Sequence, residues 1–128
     1  MLSENEDFVF ILPKERKKHY QPYTEYRDHN GRWVIYGKKD FIEGLCPRMA
    51  ILVGEDGVAS AKFTKNPALS VPEGHELGKD HTMIVYCDGR NREEVKKKLK
   101  EKLDVDEMLW KYDREAREEV MRSKVHDH

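Results

Sequence analysis

The run Thr82-Met83-Ile84-Val85-Tyr86-Cys87 constrains the fold more than any other stretch of the chain. Its six residues are β-branched, aromatic or otherwise apolar, and they stand between Gly78 and Asp88-Gly89, so they read as a buried strand. A helix follows. Asn91 and Glu94 have capping-box spacing, and Val95, Leu99 and Leu103 repeat at i, i+4 and i+8 on one face. Lysines at 96–98, 100 and 102 cover the rest of that helix. Acids at its start and bases toward its end suit the helix dipole, which makes a solvated face a simpler reading than a site for an anionic partner.

The other segments are punctuated as sharply. Asn30-Gly31 is a turn signal, and Arg32-Trp33-Val34-Ile35-Tyr36 has strand composition. Asp40 is expected to N-cap a short helix through Phe41, Ile42 and Leu45 that Pro47 ends. Met49–Val53 and Val58–Thr64 then read as a hairpin across Gly54-Glu55-Asp56-Gly57. Lys65 to Asp80, with Pro67, Pro72, Gly74 and Gly78, reads as a long loop of the kind that often carries function. Met108–Tyr112 is expected as a short strand, with Asp113 capping a final helix from Arg114 to about Lys124. Near the start, Phe8 to Leu12 reads as an edge strand or a docking segment stopped at Pro13.

This order predicts an α+β domain, a mostly antiparallel sheet with helices on one face. Residues 1–29 form an N-terminal extension or edge segment, and residues 30–125 a single domain. A length of 128 residues suits one core. With 24 Lys+Arg against 25 Asp+Glu the net charge is −1, which argues against bulk electrostatic binding of nucleic acid and leaves room for a local basic patch. Cys46 and Cys87 have neither metal-ligand nor disulfide-framework spacing and read as buried thiols. The N-terminal apolar patch is too short for a signal peptide, and no run is long enough to span a bilayer. The expectation is a soluble, cytoplasmic domain. No Gly-rich βα turn of the dinucleotide or Walker type is present, and nothing calls for a cofactor or a metal. His126-Asp127-His128 has ligand types for a metal but sits at the tail.

Three constellations carry candidate chemistry. Lys79 and His81 flank Asp80 at the mouth of the Thr82–Cys87 strand, and on an extended chain they point to the same side. They are either a proton-transfer pair or the ordinary polar start of a strand. Lys62 interrupts a run of small and apolar residues, either snorkelling to water or aimed at an anion. Lys111 repeats that pattern between Trp110 and Tyr112, where simple alternation would turn both aromatics to the core and the lysine to water. Trp33 and Trp110 are able to stack a base, but core packing suits residues within strands better.

The segments Gly31-Arg32-Trp33-Val34-Ile35-Tyr36, Ser60-Ala61-Lys62, His81 to Tyr86, the charged helix and Trp110-Lys111-Tyr112-Asp113 together resemble the family of small proteins built around the Bles03 domain. The likeness covers roughly residues 31–117. It implies an eIF4E-like fold, a curved antiparallel sheet backed by helices. Archaeal members of this kind are described as phosphothreonine-lyase domain proteins, after effector enzymes that eliminate phosphate from phosphothreonine. By that resemblance Lys111 is the base, His81 the acid, and Lys79, with Lys62, Arg90 and Arg114, holds the phosphate. The implied ligand is a phosphorylated peptide or another small phosphate-bearing molecule. A non-catalytic module for a nucleotide, an RNA end or a protein partner is the alternative.

Overall fold

The computed structural model describes residues 2–13, 30–55, 57–68 and 71–113. Six strands form one sheet: β1 (Leu2–Glu4), β2 (Phe8–Ile11), β3 (Asn30–Gly37), β4 (Val58–Thr64), β5 (His81–Asp88) and β6 (Leu109–Tyr112). Their order is β1-β2-β4-β5-β3-β6, and every neighbouring pair is antiparallel. Two helices are described, α1 (Lys39–Leu52) and α2 (Arg92–Leu103), with a single 3₁₀ turn at Gly89–Asn91 leading into α2. The α+β class and the antiparallel sheet expected from the sequence are present. No described helix is long and apolar enough to cross a membrane.

Strand periodicity sorts the side chains into two layers. On one face Ile11, Trp33, Ile35, Val58, Ala61, Phe63, Met83, Val85 and Cys87 are buried, in one cluster with Ile42, Leu45, Met49 and Leu52 of α1 and Val95, Leu99 and Leu103 of α2. Arg48 of α1 donates to the carbonyl of Leu103 at 3.1 Å, which serves an unpaired carbonyl at the end of α2 and ties the two helices together. Gly31 lies under the Trp110 ring, where an added Cβ would come within 2.3 Å of it. Only glycine lets Trp110 settle there and meet Trp33 edge to face at 5.2 Å between ring centroids.

The region after β3 departs from expectation. Instead of a short helix stopped at Pro47 and a hairpin from Met49, α1 runs unbroken through Pro47 to Leu52, and β4 begins after the Gly54–Gly57 turn. Asp40 lies in the first turn and Lys38 occupies the N-cap. A proline inside a helix costs about 3 kcal/mol. Burial of Ile42, Leu45, Met49 and Leu52, at about 1.5–3 kcal/mol each, outweighs it. Their spacing of three, four and three is helical, and it overrides the strand-like look of Ile51-Leu52-Val53. Gly54 and Gly57 still turn the chain with φ of 88° and 85°, but they join a helix to a strand.

Smaller differences have local causes. Asn91 makes no side-chain cap bond; Asp88 takes that part by accepting the Arg90 backbone N–H at 2.8 Å. Phe8–Ile11 is a strand, second from the edge, because β1 folds back onto it. Lys65–Asp80 has no helix or strand among its described residues, as expected. The helix expected after Asp113, with Arg114 and the His126–His128 tail, lies outside the described residues.

The two readings of Ile51 make different demands on stability. Leu45→Ala, at a fully buried position, is expected to lower the unfolding free energy by about 2–5 kcal/mol. Ile51→Ala, on the exposed face of α1 at 74% exposure, is expected to change it by no more than about 0.5 kcal/mol. Urea unfolding of both variants checks the pair.

Candidate functional site

Among the described residues both helices pack on one face of the sheet, and no helix lies on the other. The open face is therefore where the strands display side chains in register. One row runs Ser60, Tyr86, Arg32, Lys111 across β4, β5, β3 and β6. The next runs Phe10, Lys62, Ile84, Val34, Leu109 across β2, β4, β5, β3 and β6. Phe8 and Thr64 face each other in the row beyond.

Lys62 stands in the second row, partly buried and enclosed by rings. Its ammonium lies 4.1 Å from the centroid of Phe8, 5.7 Å from Tyr86 and 6.0 Å from Phe10. Among the described residues no carboxylate pairs with it. Arg32 reaches the same Tyr86 ring, with its guanidinium carbon 5.1 Å from the centroid. Asp113 holds Arg32 in that pose: Nε and Nη2 donate to Oδ1 at 3.1 and 3.0 Å, while Asn30 donates to Oδ2 at 2.8 Å. Lys111 is the cross-strand partner of Arg32 and shares its face. Alternation thus turns Lys111 away from Trp110 and Tyr112. Trp33, at 4% exposure, is a core residue whose indole N–H donates to the Arg92 carbonyl at 3.0 Å. Neither tryptophan belongs to the open face.

Lys79 and His81 are engaged elsewhere. Lys79 is 72% exposed and pairs with Glu76 at 3.3 Å. His81 is buried at the start of β5, on the parity of Met83 and Val85, and its Nδ1–H donates to the Thr64 carbonyl at 3.2 Å. Lys111 lies two strands away, level with Tyr86 and on the opposite parity. Five residues of strand separate Tyr86 from His81, roughly 17 Å along the chain. The Lys79–His81 pair and Lys111 therefore do not meet at one centre. Arg90 is placed beyond the Asn30 end of the sheet, where Asp88 holds its guanidinium at 2.7 Å.

The residue between the pair explains their position. Asp80 is 4% exposed and closes the long loop. Its Oδ2 accepts the Glu76 backbone N–H and the His75 Nδ1–H, both at 3.1 Å, and Lys38 lies 3.3 Å from Oδ1. Its carbonyl accepts from Ala68 at 2.8 Å. The Glu76 amide foremost, then His75 and Lys38, hold the Asp80 carboxyl below the usual aspartate range despite the opposing effect of burial. Lys79-Asp80-His81 is thus the fastening of a loop to the sheet. The thiols are unreactive by environment: burial, aided by Asp88 and Asp113, pushes Cys87 up to about 12, and burial also raises Cys46.

A groove of about 320 Å³ opens on the same face near the Tyr36 end of β3. Val34, Met108 and Leu109 supply its apolar lining, Tyr36, Pro72 and His75 one side, and Glu73, Asp106 and Glu107 its carboxylates. Among the described residues no group of three His, Cys, Asp or Glu is arranged to hold a metal ion. Sequence reasoning singles out Lys62 and Lys111 but passes over Arg32, Phe8, Phe10 and Tyr86. The available signal is alternation: Phe8-x-Phe10 and Arg32-x-Val34-x-Tyr36 each put one parity on one face.

Because the Asp80 carboxyl titrates lower when folded, its contribution to loop closure is complete above the ordinary aspartate value of about 4 and is lost as the pH falls through the lowered native value. Hydrogen exchange of the Glu76 amide is expected to stay slow from neutral pH to about 4, once corrected for intrinsic rates, and to lose protection below it. In Asp80→Asn that low-pH loss is expected to disappear, with weaker protection throughout.

Comparison with known proteins finds no matching family model, no matching curated protein and no matching solved structure.

Proposed function

We propose that this chain is a binding module whose open sheet face captures a phosphate-bearing ligand without catalysing its conversion. Lys62 carries the reading. A lysine that is partly withdrawn from water, with no carboxylate partner among the described residues, retains its full attraction for an anion. Phe8, Phe10 and Tyr86 hold the ammonium by cation–π attraction, worth about 0.5–2 kcal/mol, and leave its donors available. Arg32, held by Asp113, reaches the far side of the same Tyr86 ring, and Lys111 adds positive charge from β6, three strands from Lys62. A phosphate monoester with about −1.5 to −2 charges suits Lys62, with Arg32 across the Tyr86 ring adding to the positive potential. Elimination of phosphate needs Lys79, His81 and Lys111 around one phosphothreonine side chain, and their separation by strand and parity favours binding alone.

On the same footing we assign the sheet and its helices to the eIF4E-like class that the Bles03-domain resemblance implies. Six antiparallel strands with two described helices on one face support the assignment.

Calorimetric titration with a phosphothreonine peptide and with adenosine monophosphate tests the binding claim. Lys62→Ala is expected to weaken whichever ligand binds by roughly ten- to a hundredfold, the size of a lost charge-assisted hydrogen bond. Lys62→Arg is expected to keep most of the affinity. Unchanged affinity in Lys62→Ala would remove Lys62 from the site.

A further inference from the structure

One row of the open face runs from a cation on β4 to an acidic groove at β3 and β6. At its β4 end lies Lys62, with Arg32 in the neighbouring row. At the other lies the groove with Glu73, Asp106 and Glu107, none of which has an ion-pair partner among the described residues. Ile84, Val34 and Leu109 form the row between, and Val34 and Leu109 belong to the groove as well. Leu109 is 50% exposed. The groove lining contains no lysine or arginine. Its side nearest the loop is held rigid, since His75 packs on Tyr36 at 5.3 Å between centroids and donates to Asp80.

We propose that this groove takes a lysine or arginine side chain of a peptide whose phosphorylated residue sits at Lys62. The proposal rests on the reading of the Lys62 face as an anion site and names the ligand class. A basic side chain has an aliphatic stem for Val34, Met108 and Leu109 and a cationic head for the carboxylates. A nucleotide offers the phosphate but no such second group. The spacing sets the register of the peptide. Lys62 and the Val34–Leu109 edge of the groove are two to three strands apart, roughly 10–14 Å at the spacing of a sheet. An extended peptide covers that span in about three or four residues.

Fluorescence anisotropy with labelled phosphothreonine peptides tests it, using peptides with a lysine three or four residues to either side and a matched set with alanine there. Adenosine monophosphate competes as the non-peptide phosphate. One lysine peptide is expected to bind roughly fivefold tighter than its alanine partner, as a partly exposed ion pair allows. The preference is expected to vanish in an Asp106→Asn, Glu107→Gln double variant, with affinity for the alanine peptide unchanged. Equal binding of lysine and alanine peptides in the wild type would overturn the groove assignment and leave the anion site at Lys62 standing. Calorimetric binding of adenosine monophosphate with no binding of any peptide would do the same. If neither phosphopeptides nor adenosine monophosphate bind, the anion site falls and the groove assignment falls with it.

Discussion

The pairing of β3 with β5 is the constraint on which the rest depends. Eight residues of each strand match without a slip, from Asn30 opposite Asp88 to Gly37 opposite His81. Because side chains alternate, that register decides both layers at once. It sends Trp33, Ile35, Met83, Val85 and Cys87 to the helices, and Arg32, Val34, Ile84 and Tyr86 to the open face. A shift of one residue would bury Arg32 and expose Ile35. The core and the candidate site are two sides of one register.

The flanking strands extend the same division. β4 joins β5 through a bulge between Val58 and Ser60, which keeps Val58 in the core while Lys62 faces out. β2 then brings Phe8 and Phe10 beside Lys62, and β6 brings Lys111 beside Arg32. No pair of neighbours in the chain builds the cationic face. Five strands contribute to it, so the sheet must form before the face exists. Asp113 and Asp80 then do comparable work at opposite ends: one carboxylate orients Arg32, and the other ties the long loop to the start of β5.

The parts legible in the sequence were those whose signal is local. The Val95, Leu99, Leu103 stripe, the 82–87 run, the Gly54–Gly57 turn and the long loop can each be read from a few neighbouring residues. The α1 segment is different, because Pro47 and Ile51-Leu52-Val53 give a local message that tertiary burial of Ile42, Leu45, Met49 and Leu52 overrides. Lys62 stands out as a lone charge in an apolar strand. Its aromatic surround does not, since Phe8 and Phe10 are more than fifty residues away and meet it only by strand pairing. Lys79 and His81 show the converse: their spacing suggests chemistry, while Asp80 between them fastens the loop and the histidine turns to the Thr64 carbonyl.

Among the described residues there are two basic surfaces, the open face around Lys62 and the solvated lysines of α2, and a general attraction for anions would draw a phosphate to either. Amide chemical-shift mapping by NMR during titration with a phosphothreonine peptide separates them. Shifts gathered at Phe10, Lys62, Ile84, Tyr86 and Arg32 are the predicted result. Shifts confined to residues 96–102, or none at saturating peptide, would contradict a binding site on the open face.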